Sequence, residues 1–256
     1  MSLKHLVRSK KEIDSIRQSG AMLAHVLTVL RGSIEADMST HDIDEIARKE
    51  IKALGGKPSF YGYNGFPGAV CASINDEVVH GIPSRHRVMK AGDLVSFDCG
   101  VTYNGMVTDA AFTEIVGGES TVSKRVVELV NTTKQSLQAG ENAVHGDVAI
   151  SEISKAIEDT LQAKKFGIVK DLVGHGVGRK LHEEPDIPNY VTGGKSKSLL
   201  SGMTIAIEPM ATLGTDRVTM DSDGWTIRTQ DGSLSAHFEQ TVLVTEEGVE
   251  ILTDFL

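Results

Sequence analysis

Four carboxylates and one histidine occupy positions where side chains could hold metal ions. Each acid adjoins an apolar, strand-like run, and the histidine lies in a glycine-rich loop: Asp98, Asp109, Glu208, Glu239 and His175. A charge at the end of a buried strand needs a partner or a metal ion. Oxygen ligands with one nitrogen ligand suit Mn²⁺, Fe²⁺ or Co²⁺, with Zn²⁺ also possible, and bridging carboxylates make the set large enough for two ions.

A predicted β-hairpin brings Asp98 and Asp109 together. Asn104-Gly105 lies between two strand-like runs, which is a strong signal for a two-residue turn. This turn pairs Gly100 with Asp109 and places Asp98 on the same face, because side chains alternate along a strand. The two acids are then diagonal neighbours, roughly 7–8 Å apart at the backbone, and Gly100 leaves room for ions. The alternative is a hairpin with two solvated aspartates. The apolar residues before Asp98 count against this alternative.

The histidine loop carries a weaker signal when it is taken alone. Alternating glycines in residues 174–178 leave the imidazole of His175 with little side-chain cover, which suits a backbone that passes close to a ligand or ion. The spacing is not that of a dinucleotide-binding loop. Glu208 and Glu239 could each be ordinary strand-end charges, and His80 and His182 could be surface or satisfied core histidines. Taken together, the acids and His175 favour a metal site.

Capping signals and apolar periodicity predict the elements that must position these side chains. We predict helices over residues 9–30, 39–54, 122–138 and 148–164, a loop over 58–69, and strands over 69–74, 93–97, 204–207 and 241–245. Residues 89–98 resemble residues 199–208, because each segment has a glycine before an apolar strand that ends in a carboxylate. The repeat suggests two similar halves with acids converging at their junction, and coincidence is the alternative.

Composition excludes several classes of protein. The chain has 256 residues and a formal net charge of −9, which argues against a nucleic-acid binder. No apolar run is long enough for a membrane span, and there is no signal-peptide pattern. The two cysteines, Cys71 and Cys99, form no CxxC pair and are expected to be reduced thiols in a cytoplasmic protein. No linker divides the chain, so a single domain over residues 1–256 is expected.

The ligands and their surrounding motifs resemble a known family. Its motifs match residues 73–83, 174–185, 207–209 and 223–236, with Asp98, Asp109 and Glu239 in the family's order. The chain resembles the bacterial type I methionine aminopeptidases over nearly its full length. The resemblance implies the α/β "pita-bread" fold, in which two pseudo-symmetric helix-helix-strand halves surround a dinuclear metal site.

The resemblance also implies a role for each site residue. Asp98, Asp109 and Glu239 would hold one ion, and Asp109, His175, Glu208 and Glu239 the other, with a bridging water or hydroxide as the nucleophile. Glu208 would accept a proton from that water. His80 and His182 would contact the substrate and steady the tetrahedral intermediate. The methionine pocket would be lined by Phe60, Tyr63, Phe66, Cys71, Leu181 and Trp225.

The implied activity is removal of the initiator methionine from nascent polypeptides, with a preference for a small, uncharged second residue. Two divalent ions (Co, Mn, Fe or Zn) would be the cofactors, in a cytoplasmic monomer with an association with the ribosome. The sequence departs from the family at two places, which affect tuning of the metal and fine substrate preference. Gln240 stands where a histidine usually follows the last glutamate, and Phe60 and Leu181 replace a cysteine and a phenylalanine of some relatives.

Two other functions remain open from the sequence. A prolidase or aminopeptidase P would share the five ligands, but such proteins usually carry a separate N-terminal domain, and only 97 residues precede Asp98 here. A metal-free binding module of the same fold would have lost ligands, whereas all five ligands and both extra histidines are present.

Overall fold

A computed structural model describes residues 3–256. Its helices, in chain order, are α1 (Lys10–Ser33), α2 (Thr40–Ala53), α3 (Lys124–Asn142) and α4 (Ile150–Ala163), with short 3-10 helices at Leu3–Leu6, Tyr63–Gly65 and Glu119–Thr121. The predicted helices are therefore confirmed, with ends that differ by a few residues. No helix among the described residues is long and apolar enough to cross a membrane.

Capping boxes start the first two helices. The Ser9 side chain accepts a hydrogen bond from the backbone N–H of Glu12, and the Glu12 carboxylate accepts one from the backbone N–H of Ser9. Ser39 and Asp42 make the same reciprocal pair at the start of α2. Because each pair satisfies backbone donors that a helix end leaves open, the chain turns into the helix at a defined residue.

The strands group into four sheets. In chain order they are β1 (Lys57–Pro58), β2 (Val70–Ile74), β3 (Glu77–Val79), β4 (Leu94–Tyr103), β5 (Met106–Ile115), β6 (Gly167–Ile168), β7 (Gly174–Gly176), β8 (Glu183–Ile187), β9 (Thr204–Ile207), β10 (Met210–Thr212), β11 (Val218–Met220), β12 (Ile227–Thr229), β13 (Ser235–His237), β14 (Gln240–Val244) and β15 (Val249–Ile251). In one large sheet β4 pairs with β5 along one edge and with β2 and β1 along the other, and the second large sheet runs β15-β14-β9-β7-β8. Two three-stranded sheets, β13-β10-β6 and β11-β12-β3, complete the set.

The two large sheets are built alike, as the sequence repeat predicts. Helices α1 and α2 pack with the sheet that contains β4, and α3 and α4 pack with the elements around β9. Gly92 precedes β4 with φ of 93°, and Gly202 precedes β9 with φ of 88°. Both glycines adopt a left-handed backbone that other residues rarely tolerate. Each turn therefore starts one apolar strand that runs to the junction of the halves. Glu208 directly follows β9, but Asp98 lies within β4, which continues to Tyr103, so the expectation that this strand ends at the carboxylate is wrong.

The hydrophobic core joins the halves. One cluster of buried residues takes members from all four helices and from both large sheets. At one edge of the molecule, α1 lies against the segment that follows β15, and Gly20 is the point of contact. A Cβ atom on Gly20 would lie 2.2 Å from the carbonyl oxygen of Leu252, which is far inside van der Waals contact. Residue 20 must therefore be glycine for α1 and the C-terminal segment to pack this closely.

This contact yields a stability prediction with an internal control. Gly20→Ala should lower the free energy of unfolding by about 1–3 kcal/mol, because the added methyl group forces α1 away from Leu252. Gly32, in the same helix, has nothing within 4 Å of a built Cβ. Gly32→Ala should therefore raise the free energy of unfolding by about 0.5–1 kcal/mol, as alanine favours helix over glycine. Urea denaturation of both variants measures the difference, and equal stability of the two would contradict the packing argument.

Candidate metal centre

The hairpin places two of the acids as predicted. Strands β4 and β5 pair Gly100 with Asp109 and Asp98 with Ala111. The carboxyl groups of Asp98 and Asp109 lie close enough for each to affect the pKa of the other. Ala111 also exchanges two backbone hydrogen bonds with Glu239, of 3.1 and 2.9 Å. The hairpin of one half is therefore joined directly to an acid of the other half.

The remaining expected ligands lie in or next to strands of the second large sheet. His175 on β7 pairs with Ala206 on β9, and Glu208 follows the last residue of β9. The Nε2 atom of His175 lies 3.4 Å from Oε1 of Glu208. One ligand atom from each of Asp109, His175 and Glu239 lies within 4.8 Å of the others. All five residues that the sequence suggested as ligands thus meet at the junction of the halves.

The structure corrects the reason given for two sets of glycines. A Cβ on Gly100 would lie 3.0 Å from the ring of Phe60, so this glycine makes room for a side chain and not for ions. A Cβ on Gly174 would lie 2.4 Å from the carbonyl oxygen of Ala206, and one on Gly176 would lie 2.2 Å from that of Glu184. These glycines allow neighbouring strands to approach closely, and the expectation of a backbone pressed against an ion is wrong.

Burial makes ionisation of this cluster of acids energetically costly. Asp98, Asp109 and Glu239 are buried, and each has one side-chain oxygen without a hydrogen-bond partner among the described residues. Burial raises the pKa of Asp98 to about 7. Burial, and then the neighbouring carboxylates, also raise the pKa values of Asp109, Glu208 and Glu239 well above their usual range. Four such groups are ionised together only when positive charge lies among them.

His175 is prepared to bind a cation. Its Nδ1 lies 2.9 Å from the carbonyl oxygen of Gly176, and since a carbonyl oxygen only accepts, Nδ1 carries the proton. The lone pair is then on Nε2, the atom that faces Glu208. Burial lowers the pKa of His175 to about 3, so the ring is neutral near pH 7. Orphaned carboxylate oxygens and one neutral imidazole form a donor set that divalent metal ions match.

Two further histidines border the cluster. The ring of His182 lies 4.3 Å from that of His175, measured between centroids, and its Nδ1 is 2.9 Å from the hydroxyl oxygen of Tyr63. His80 has a backbone φ of 61°, which is unusual for a residue with a side chain. Its ring lies edge-on to Trp225, with 6.5 Å between centroids. Burial lowers the pKa of His80 to about 4 and also lowers the pKa of His182.

A buried arginine holds the segment that carries His182. The guanidinium of Arg8 donates to the carbonyl oxygen of Val177 at 2.9 Å and to the carboxylate of Glu183 at 2.6 Å. Its Nε donates to the hydroxyl of Thr204 on β9 at 3.0 Å. Residues on both sides of His182 are therefore fixed to the N-terminal segment and to the strand that leads to Glu208.

All of the predicted site residues line one cavity of about 410 Å³. They are Phe60, Tyr63, Phe66, Cys71, His80, Asp98, Asp109, His175, Leu181, His182, Glu208, Trp225 and Glu239. The acids lie beside an apolar wall, where Phe60, Phe66, Cys71 and Leu181 form a buried cluster of their own with Trp225 packed against it. The cavity therefore offers an apolar side chain a place directly beside the carboxylates.

The cavity also includes residues that the sequence analysis did not single out. Of these, His237 is almost fully buried and lies 3.9 Å from an oxygen of Glu239. Its position two residues before Glu239 was a usable signal, because alternate residues of an extended chain share a face. Asn64, Val79, Asp171, Leu172 and Val173 complete the lining.

Comparison with known proteins agrees with this site. The model of metallopeptidase family M24 matches residues 14–246. A methionine aminopeptidase of Clostridium acetobutylicum is 43% identical over 97% of this chain and 98% of its own length. The crystal structure of methionine aminopeptidase from Thermotoga maritima has a TM-score of 0.93 and 42% identity, covering 96% of this chain and 98% of that one. Prolidase from Pyrococcus furiosus has a TM-score of 0.78 at 20% identity, which shows a shared fold alone.

The chain belongs to metallopeptidase family M24, with the pita-bread fold of that family. Within it, the identity over nearly the full chain groups the protein with the methionine aminopeptidases. It is thus a hydrolase that uses divalent metal.

Removing one hydroxyl group tests whether Tyr63 sets the orientation of His182. Tyr63→Phe should lower kcat/KM by about 3- to 10-fold, the value of one neutral hydrogen bond, while metal content stays unchanged. Tyr61→Phe is the matched control, because Tyr61 is 59% exposed and its ring would still stack on Arg48. Peptidase assays at saturating metal provide the comparison, and equal rates for both variants would show that the Tyr63 hydroxyl does not orient His182.

Proposed function

We propose that this protein removes the N-terminal methionine from nascent proteins and peptides, with a preference for a small, uncharged second residue. The observation that carries the proposal is the apolar pocket that opens directly onto the buried carboxylate cluster. The named relatives support it, since a methionine aminopeptidase is 43% identical and the prolidase only 20%. The proline-directed alternative is therefore not favoured.

The proposed cofactors are two divalent ions. Asp98, Asp109 and Glu239 would hold one, and Asp109, His175, Glu208 and Glu239 the other, with Co, Mn, Fe or Zn as candidates. Orphaned oxygens on Asp98, Asp109 and Glu239 support the assignment. Such ions polarise a carbonyl and lower the pKa of water toward neutrality when they are bound.

Three side chains of the protein then handle protons and charge. Glu208 accepts the proton of the attacking water. It can do so because it directly follows the end of β9 and its side chain is partly exposed. With the Tyr63 hydroxyl donating to Nδ1, the Nε2–H of His182 is left to donate to the scissile carbonyl oxygen. His80, whose ring lies next to Trp225 in the same cavity, is the second donor. Donors placed before the reaction stabilise negative charge as it develops.

The apolar wall explains the choice of methionine. The rings of Phe66 and Trp225 lie 5.1 Å apart, edge to face, and Cys71 is buried beneath them. Burial raises the pKa of the Cys71 thiol, which is therefore neutral. An unbranched thioether packs well among aromatic and sulfur groups, whereas a charged side chain would lose its hydration there without a partner.

We propose that Gln240 tunes the metal centre without being one of its ligands. It begins β14, is buried, and its Nε2 donates to the carbonyl oxygen of Thr253 at 3.3 Å.

We further propose that residues 1–256 act as one catalytic domain, as a monomer in the cytoplasm in association with the ribosome, where nascent chains become available.

A panel of tripeptides tests the function. Apo protein should release no free methionine from Met-Ala-Ser, activity should appear on titration with Mn²⁺, Fe²⁺ or Co²⁺, and Met-Trp-Ser should resist cleavage because of its large second residue. Norleucine in first position should be cleaved within about tenfold of methionine, and lysine at least about 100-fold more slowly. Cleavage of Lys-Ala-Ser at a comparable rate would contradict the pocket assignment. Metal binding without cleavage of any of these peptides would favour a proline-directed enzyme.

The role of His182 yields a separate prediction. His182→Ala should keep its metal content but lose at least about 100-fold in kcat, because the donor to the developing charge is removed. His86→Ala, at an exposed histidine, is the control. Metal analysis and steady-state kinetics are measured on the same samples. A near-normal kcat/KM in His182→Ala would show that the residue does not contact the reacting groups.

A further inference from the structure

His237 is held rigidly at the centre of the molecule. It ends β13, where it pairs with Met210 of β10. Its backbone N–H donates to the hydroxyl of Thr113 at 2.8 Å, and that hydroxyl donates back to the carbonyl oxygen of His237 at 2.9 Å. Two residues later, Glu239 leaves this small sheet to bond with Ala111 of the hairpin. The side chain of His237 is thereby fixed next to the acids.

The imidazole of His237 has no hydrogen-bond partner within residues 3–256. Its side chain is 2% exposed, and neither Nδ1 nor Nε2 bonds to any described residue. It lines the same cavity as the five ligands. A buried polar ring with both nitrogens unpaired is rare in native proteins and calls for a ligand.

The distances around Nε2 suggest which ligand this is. Nε2 lies 4.0 Å from Oε2 of Glu208 and 3.9 Å from Oε2 of Glu239, too far for hydrogen bonds. Two atoms that bind the same ion at about 2.1 Å each lie between about 3.0 and 4.2 Å apart, depending on the angle between them. Both distances fall in this range. Glu208 thus presents one oxygen to His175 and the other to His237.

We propose that His237 is a sixth protein ligand of the metal centre, binding through Nε2 the ion that Glu208 and Glu239 share. The inference rests on the metal centre of the proposed function and adds a second imidazole to the ion that His175 holds. Gln240 supplies no substitute, because its amide is turned to Thr253. A second neutral nitrogen ligand shifts the preference of that ion position toward borderline metals such as Co²⁺ and Zn²⁺.

A glutamine substitution separates ligation from hydrogen bonding. In His237→Gln the side-chain amide reaches about as far as Nε2 and can still donate a hydrogen bond, but it is a poor ligand for these metals. We expect the dissociation constant for one of two Co²⁺ ions to rise about 10- to 100-fold in a chelator competition assay, with altered visible absorption of the Co²⁺ protein. His86→Gln should change neither quantity. Wild-type affinity and spectrum in His237→Gln would overturn the proposal.

A measurement on the unmodified protein makes the test independent of how the variant folds. With ¹⁵N-labelled histidine, Zn²⁺ titration should move the Nε2 resonances of two rings, His175 and His237, to positions typical of metal ligation. Only one shifted ring at saturation would refute ligation by His237 while leaving the metal centre intact. Failure of the unmodified protein to bind Zn²⁺, Mn²⁺ or Co²⁺ at all would refute the centre itself, and with it the proposed function.

Discussion

Negative charge buried at the junction of two sheets is the constraint on which this structure depends. Four carboxylates meet there, and burial together with mutual repulsion raises their pKa values. Near neutral pH the apo protein therefore retains protons on this cluster that metal ions would displace. Metal binding and proton release are coupled, so affinity for the ions rises with pH.

Backbone contacts prevent these charged residues from moving apart. The hairpin fixes Asp109 opposite Gly100, and the backbone N–H of Asp109 donates to the hydroxyl of Thr241 at 2.9 Å. That hydroxyl donates back to the carbonyl oxygen of Asp109 at 2.8 Å, while Glu239 is paired to Ala111. Because these bonds cross between the halves, repulsion at the site is opposed by sheet hydrogen bonds and by the shared core. The site is organised before any ligand arrives, which lowers the reorganisation needed for catalysis.

Sequence alone predicted the features that depend on neighbouring residues. Ser9 and Asn104-Gly105 act through local hydrogen bonds and turn geometry, so the start of α1 and the register of β4 with β5 were predicted correctly. Three-residue strands such as β7 and β13 show too little periodicity to be found. Contacts distant in the chain were also inaccessible, which is why Gly100 was assigned to ions when it accommodates Phe60. The position of His237 two residues before Glu239 could have been used, but the lack of partners for its ring nitrogens among the described residues could not be foreseen.

The bonds made by Thr241 connect segments that are distant in the sequence. The backbone N–H of Thr241 donates to the hydroxyl of Thr253 at 3.0 Å, and Leu252 closes the packing of α1 around Gly20. The first helix and the hairpin of β4 and β5 therefore both depend on contacts that involve residues 252 and 253. A change in this segment, far from the cavity, would therefore disturb the hairpin that carries Asp109.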